Sequence, residues 1–154
     1  NTAGCIARCV KSICAQTYKS IEILLLNDGS TDGTLAVCRA LAASDHRIAL
    51  VDKTNTGAAD TRNQGIALAH GKYIQFVDSD DWLAPDFTEK LVSAAEAHTA
   101  DLVIAPFCTR KTMWSTSVHG KRRCSMCSSA IRPAPGPMAI CLPGCTPDRS
   151  TQSI

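Results

Sequence analysis

Short apolar strands alternate with amphipathic helices through the first two thirds of this chain, and the alternation limits the fold more than any other feature. Four short segments read as strands: residues 21–26, 47–52, 73–77 and 102–105. The first of these is a continuous apolar run, as in parallel strands that are covered on both faces. The pattern therefore predicts an α/β fold with a mainly parallel sheet and helices on both faces.

The segments between the strands carry apolar residues at three- and four-residue spacing, which is typical of amphipathic helices. Ser30 or Thr31 is expected to cap the second helix, and Gly71 is expected just beyond the end of the third. The four helices are expected at residues 5–14, 31–42, 58–70 and 85–98.

Three carboxylates, Asp78, Asp80 and Asp81, follow directly on the third strand. Acids this close repel one another unless a positive partner joins them, and a divalent cation with a phosphorylated ligand would serve. Asp28 and Asp52 also follow strands, and ligands of parallel sheets bind beyond the carboxyl ends of strands. Asp is also common at loop starts for local reasons, and for Asp52 the two explanations are equally good.

Composition changes near residue 107. Residues 1–107 hold 9 Lys/Arg and 13 Asp/Glu, whereas residues 108–154 hold 7 Lys/Arg, one Asp and five of the seven prolines. We expect 1–107 to form one domain and 108–154 to be an irregular tail rich in Cys, Pro and basic residues. The net charge of +2 indicates no nucleic-acid partner, and no apolar run is long enough to cross a bilayer.

The nine cysteines admit two interpretations. Those in the first helices lie among apolar residues, where a free thiol behaves as a small hydrophobe, and this predicts a reducing, cytoplasmic location. Alternatively, the later pairs Cys124-x-x-Cys127 and Cys141-x-x-x-Cys145 could hold zinc, although a proline run separates them.

Two loops between a strand and a helix carry further polar candidates. Asp28 precedes a helix N-terminus, where it could accept a hydrogen bond from a base N–H or a sugar hydroxyl. Arg62 lies about one turn into the third helix and could bind phosphate through two parallel hydrogen bonds. Alternatively, Arg62 pairs with Asp60 or another acid on the surface. No dinucleotide-binding or P-loop motif is present.

Several segments of the chain resemble, in their order and spacing, those of family 2 glycosyltransferases of the GT-A fold. The resemblance covers about residues 1–107 and implies a Rossmann-like GT-A domain that binds a nucleotide sugar, here in partial form. The matching segments include Ala15-Gln16-Thr17-Tyr18, Asn27-Asp28-Gly29-Ser30-Thr31-Asp32, Thr61-Arg62-Asn63-x-Gly65 and Phe76-Val77-Asp78-Ser79-Asp80-Asp81-Trp82.

The resemblance implies a role for each matched site residue. Asp28 would hydrogen-bond the nucleotide base, Arg62 would lie near the base or diphosphate, and Asp78 would touch the ribose. Asp80 would hold Mg²⁺ or Mn²⁺ bridging the diphosphate of a nucleotide-diphospho-sugar, expected to be a UDP-sugar. The sugar would pass with inversion to a hydroxyl of a glycan or lipid-linked acceptor, in polysaccharide or glycoconjugate assembly at the inner face of the membrane.

Two features of that family are not found. The family's first strand, central in its sheet between those ending at Asp28 and Asp78, would precede Asn1, so we expect a missing strand and a gap in the core. The family's general base is a later carboxylate, and after Asp101 only Asp148 remains. No catalytic residue is therefore predicted, and the 154-residue chain is expected not to transfer sugar.

Two competing hypotheses remain. Phosphatases of the haloacid-dehalogenase type also carry Asp-x-Asp, and Asp78 would then be the nucleophile and Asp80 the acid/base. That motif belongs on the first strand, however, whereas two strands precede it here. The non-enzymatic alternative is a decayed domain that binds a nucleotide weakly or not at all.

Overall fold

The computed structural model describes residues 1–105 and 138–143 of the chain. All of its strand pairs are parallel, in the order β2-β1-β4-β3, so the predicted α/β architecture is confirmed. The elements are α1 Ile6–Cys14, β1 Ile21–Asp28, α2 Thr34–Ser44, β2 Ile48–Lys53, α3 Ala58–Leu68, β3 Tyr73–Phe76, α4 Phe87–His98 and β4 Met138–Pro143.

The apolar run in β1 requires cover on both faces of the sheet, because successive side chains of a strand point to opposite sides. Ile23 and Leu25 belong to the core cluster with α1, α2 and α4. Leu24 and Leu26 face the other way, and α3 packs there through Gly65, where an added Cβ would lie 3.6 Å from Leu26. Helices on both faces follow directly from this burial.

Strand β4 occupies the position between β1 and β3 that was expected to be empty. It pairs with β1 and β3 at once, and Ile140 lies opposite both Ile23 and Gln75. Its side chains from Met138 to Leu142 are at most 3% exposed. Residues 138–143 are therefore not irregular, and no gap forms between β1 and β3. This strand was not predicted, because a short, fully buried segment shows no alternation of apolar and polar residues and because prolines lie at both of its ends.

The prediction of a strand at residues 102–105 is wrong. Only Leu102 forms a single bridge, and residues 103–105 have no regular structure. Leu102 and Ile104 are 51% and 69% exposed, so this apolar run lacks the cover that a buried strand needs.

Two helix ends also differ from expectation. Asp32, not Ser30 or Thr31, accepts a hydrogen bond from the first residue of α2, Thr34, at 3.0 Å. Helix α3 ends at Leu68, and the backbone N–H of Gly71 donates to Glu22 instead of capping it.

Most of the candidate zinc site lies outside the described residues, which exclude Cys124, Cys127 and Cys145. Cys141 is buried in β4, and an added Cβ on Gly65 of α3 would lie 3.2 Å from its Sγ. Burial, with a smaller contribution from Glu22, raises the pKa of this thiol to about 12. Cys141 is therefore a protonated core side chain in the described sheet.

None of the helices in the described part of the chain combines the length and the apolar character that a bilayer crossing requires.

Candidate functional site

The carboxyl ends of the four parallel strands meet at one edge of the sheet. The chain leaves β1 for β2 on one side, and then crosses through α3 to β3 on the far side of β4. Ligands of α/β sheets bind in the crevice at such a reversal. Asp28 ends β1 and Asp78 follows β3 by two residues. With β4 between them, these two strands lie about 10 Å apart at this edge.

Asp28 is fully buried and holds the loop that follows β2. Its Oδ1 accepts hydrogen bonds from Lys53 Nζ and from Thr56 N at 2.9 Å, and its Oδ2 accepts one from Gly57 N at 3.0 Å. Burial raises the pKa of Asp28, but hydrogen bonds from Lys53, Thr56 and Gly57 outweigh it and bring the pKa below its ordinary value. The carboxylate is therefore ionised at neutral pH.

Strand pairing brings Lys53 to Asp28. Both residues end their strands, and they are register partners in the parallel ladder between β1 and β2. Lys53 was not predicted as a site residue, because it lies 25 positions after Asp28 in the sequence. The signal was present, since the last residues of two neighbouring parallel strands lie side by side.

Two glycines let the loops after β1 and β2 approach each other. Gly29 and Gly57 have φ values of +68° and +92°, which residues with a Cβ rarely adopt. A Cβ on Gly29 would also lie 2.8 Å from the backbone nitrogen of Asn55. Because Asp28 is closed to solvent beneath this loop, a hydrogen bond from a nucleotide base requires residues 54–57 to move.

Arg62 reaches from the second turn of α3 to the loop between β3 and α4, residues 77–86, here called the acidic loop. Its Nη2 lies 3.2 Å from Asp78 Oδ1, and the two side chains are 39% and 35% exposed. Asp60, the alternative partner, bonds Thr56 and Gln64 instead. The structure thus brings Arg62 and Asp78 together in a pair weak enough for a ligand to displace.

Asp80 and Asp81 make this end of the edge strongly negative. Partial burial, followed by the charges of Asp80 and Asp78, raises the pKa of Asp81. Within the described part of the chain, no hydrogen bond or ion pair reaches the exposed carboxylate of Asp80. Carboxylate oxygens with excess negative charge are the donor set that Mg²⁺ and similar hard cations prefer, so these residues fit a divalent metal.

No three His, Cys, Asp or Glu side chains converge into a metal cage among residues 1–105 and 138–143.

Asp52 has a structural role. It accepts a hydrogen bond from Asn27 Nδ2 at 2.7 Å and lies 3.6 Å from the guanidinium of Arg39. These contacts satisfy Asp52 within the fold, which favours the local explanation for its position at a strand end.

A cavity of about 10 Å³ lies between α4 and the amino ends of β3 and β4, opposite the acidic loop. It is apolar and holds at most one water, so we assign it no ligand. It is lined by Tyr73, Ile74, Leu91, Val92, Ala95, Val103 and Met138.

Comparisons with known proteins point to one family. The family model described as Glycosyl transferase family 2 matches residues 1–146. The chain is 38% identical over 107 residues to Glycosyltransferase GlyA of Streptococcus pneumoniae, covering 70% of this chain and 15% of that protein. It is 39% identical over 118 residues to Putative glycosyltransferase EpsH of Bacillus subtilis, covering 73% and 34%. It is 43% identical over 89 residues to Hyaluronan synthase of Pasteurella multocida, covering 58% and 9%.

The matches span only 15%, 34% and 9% of the length of these three relatives. They give no support to the phosphatase hypothesis, and Asp78 follows the third strand in chain order instead of the first. Because the family match extends over the parallel sheet, the acidic loop and β4, the chain belongs to glycosyl transferase family 2.

Proposed function

We propose that this chain forms the donor-binding part of an inverting glycosyltransferase. The donor is a nucleotide-diphospho-sugar, of which UDP-sugars are the expected class, and a divalent metal assists its binding. One observation carries the proposal: Arg62 and Asp78 pair beyond β3, beside the exposed carboxylate of Asp80, at the edge of the sheet where α/β proteins bind ligands.

Each residue at the edge has a role in this proposal. Arg62 turns from Asp78 towards the diphosphate, because a phosphate with two oxygens matches the guanidinium better than one exposed carboxylate oxygen. Asp78, once released, accepts a hydrogen bond from a ribose hydroxyl. Asp28 lies where the nucleotide base of the donor would bind. It fixes the loop at 54–57, and it accepts a hydrogen bond from an N–H of the base when that loop opens.

Asp80 is the proposed ligand of Mg²⁺ or Mn²⁺. A divalent cation bound there would neutralise the charge that develops on the departing diphosphate. Asp81, whose pKa is already raised by burial and by its acidic neighbours, adds to the negative potential that attracts the ion. We assign no general base, because Asp28, Asp78 and Asp80 have donor-binding roles in the proposal and Asp52 is held by Asn27 and Arg39.

The acceptor is proposed to be a glycan or lipid-linked hydroxyl in polysaccharide assembly. Relatives of this chain include proteins named Chondroitin synthase and Hyaluronan synthase, each 43% identical over 89 residues. A cytoplasmic location at the inner face of the membrane is part of the same proposal, and the buried thiols of Cys9 and Cys141 fit a reducing compartment. The domain is proposed to comprise residues 1–107 together with β4.

Titration calorimetry with UDP, with and without Mn²⁺, tests the proposal. Mn²⁺ is expected to tighten UDP binding by at least about tenfold, which corresponds to about 1.4 kcal/mol. The variant Asp80→Asn is expected to lose this gain because it removes one charge from the ion. Asp101→Asn makes the same charge change at an exposed site beyond α4 and serves as the control.

Two results would contradict the proposal. If Asp80→Asn keeps the full gain from Mn²⁺, this carboxylate does not hold the ion. If the wild-type chain binds no UDP under either condition, the donor is not a UDP-sugar, and a chain that binds no other nucleoside diphosphate either would support the decayed-domain hypothesis.

A further inference from the structure

Helix α1 has an apolar face and a polar edge with different partners. Its apolar face is built on Ile6, Val10 and Ile13, which are buried against the sheet. Arg8 and Ser12 lie four residues apart and so share one side of the helix. That side faces the acidic loop.

The polar edge of α1 contacts the acidic loop in chain order. Arg8 Nη2 lies 3.3 Å from the carbonyl oxygen of Asp80, and its guanidinium stacks 4.3 Å from the ring centre of Trp82. One turn later, Ser12 Oγ accepts a hydrogen bond from the backbone N–H of Leu83 at 3.0 Å. The helix and the loop therefore run side by side.

Gln16, just beyond the end of α1, continues the series with its whole side chain. Its Nε2 donates to the carbonyl oxygens of Ala84 at 2.7 Å and Ser12 at 3.0 Å, and its Oε1 accepts from Thr88 N at 2.9 Å. Gln16 is 0% exposed, so an unmade hydrogen bond here would leave a buried polar group. Thr17 N adds a hydrogen bond to the carbonyl oxygen of Pro85 at 2.9 Å.

These polar contacts from α1 reach backbone atoms of the loop and not its carboxylates. Asp80 is held by its carbonyl oxygen, and so is Asp78, which accepts a hydrogen bond from Cys9 Sγ at 3.5 Å. A loop with three neighbouring acids would otherwise separate its charges by opening. Contacts with the backbone fix the Cα positions of these acids without neutralising the charges of their carboxylates.

We propose that Arg8, Ser12 and Gln16 are positioning residues that hold the acidic loop so that Asp80 faces the incoming diphosphate. This inference rests on the proposed function of the edge as a metal–diphosphate site. It gives a role to the Gln16-Thr17 pair, which the sequence singled out and which donor binding alone does not use. The proposed roles are indirect, because these side chains contact the loop and would act on a ligand through it.

The test uses paired substitutions in a Trp114→Phe background, which leaves Trp82 as the single tryptophan and a reporter of the loop. Gln16→Met keeps the side-chain volume and removes the three hydrogen bonds. Gln75→Met is the matched control, since Gln75 is also buried but lies in β3 and contacts Thr88, outside the acidic loop. Ser12→Ala, which loses the bond to Leu83, is the milder variant if Gln16→Met does not fold.

In Gln16→Met, acrylamide quenching of Trp82 is expected to rise about twofold, as local opening exposes the loop. The Mn²⁺-dependent gain in UDP affinity is expected to fall about tenfold, which is typical when a residue that holds a metal ligand in place is replaced. In Gln75→Met both values stay at the wild-type level even where the melting temperature falls. Ser12→Ala shifts both values in the same direction by a smaller factor.

Unchanged quenching in both Gln16→Met and Ser12→Ala would overturn the inference. So would an equal change in Gln75→Met, because the effect would then be general loss of stability. If the wild-type chain shows no gain from Mn²⁺, the proposed function fails. The quenching of Trp82 then decides alone whether α1 holds the loop.

Discussion

Replacing Ile140 by Asp is expected to prevent the chain from folding. Ile140 is 0% exposed and lies at the centre of β4, opposite Ile23 on one side and Gln75 on the other. An unpaired carboxylate at this position would have to be buried or the central strand given up, at a cost of several kcal/mol. That is a large part of the roughly 5–15 kcal/mol by which a domain is stable.

A graded series separates strand loss from a general effect. Ile140→Val is expected to reduce the free energy of unfolding by about 1 kcal/mol and Ile140→Ala by about 2–5 kcal/mol. Ala49→Asp adds the same charge at an exposed position of the edge strand β2 and is expected to cost less than about 1 kcal/mol. Urea unfolding followed by circular dichroism measures all four variants. A wild-type midpoint for Ile140→Asp would show that β4 is not the central strand.

The second large effect concerns the buried pair of Asp28 and Lys53. Asp28→Asn is expected to lower the free energy of unfolding by about 3 kcal/mol, because Lys53, only 12% exposed, loses its buried partner. An amide nitrogen would also face donors, the ammonium group of Lys53 or the N–H of Gly57. The double variant Asp28→Asn/Lys53→Met is expected to recover part of the loss, since it removes the unpaired charge.

The pH dependence of this difference follows from the lowered pKa of Asp28. Ionised Asp28 contributes its full stability above the unfolded pKa of about 4, and the contribution disappears as pH falls through the lower folded pKa. The difference between wild type and Asp28→Asn should therefore be constant from pH 7 to about 4 and shrink below it. Hydrogen bonds from Arg47 lower the pKa of Asp45 as well, but that pair is present in both chains and cancels.

Thermal unfolding of both chains between pH 2 and 7 measures this difference. A difference that stays constant to pH 2, or that grows as the solution becomes acidic, would show that Asp28 does not stabilise the fold through its charge.

The sequence predicted those parts of the fold that local patterns determine. The apolar run of β1, the spacing in α1 and the acids after β3 are each readable within one segment, and the order of the segments led to the correct family. Arg62 and Asp78 were both predicted as site residues, but their pairing was not, because it joins α3 to a loop 16 residues away.

The remaining features depend on contacts between distant segments. Nothing near Ile140 indicates that its segment fits between β1 and β3, because partner choice in a sheet is decided by burial against the whole fold. The strand predicted at residues 102–105 is wrong for the same reason, because Leu102 and Ile104 remain exposed in the folded chain. Lys53 contacts the carboxylate of Asp28, and Gln16 contacts the carbonyl oxygen of Ala84. Only folding brings these distant segments together.

The position of a bound metal ion is the sharpest test of the proposed donor site. A crystal of the chain grown with UDP and Mn²⁺ would locate the ion by its anomalous scattering. We expect Mn²⁺ to coordinate a carboxylate oxygen of Asp80 and both phosphates directly, with Arg62 beside the nucleotide. Manganese bound away from the acidic loop, or UDP seated elsewhere than the carboxyl edge of the sheet, would contradict it.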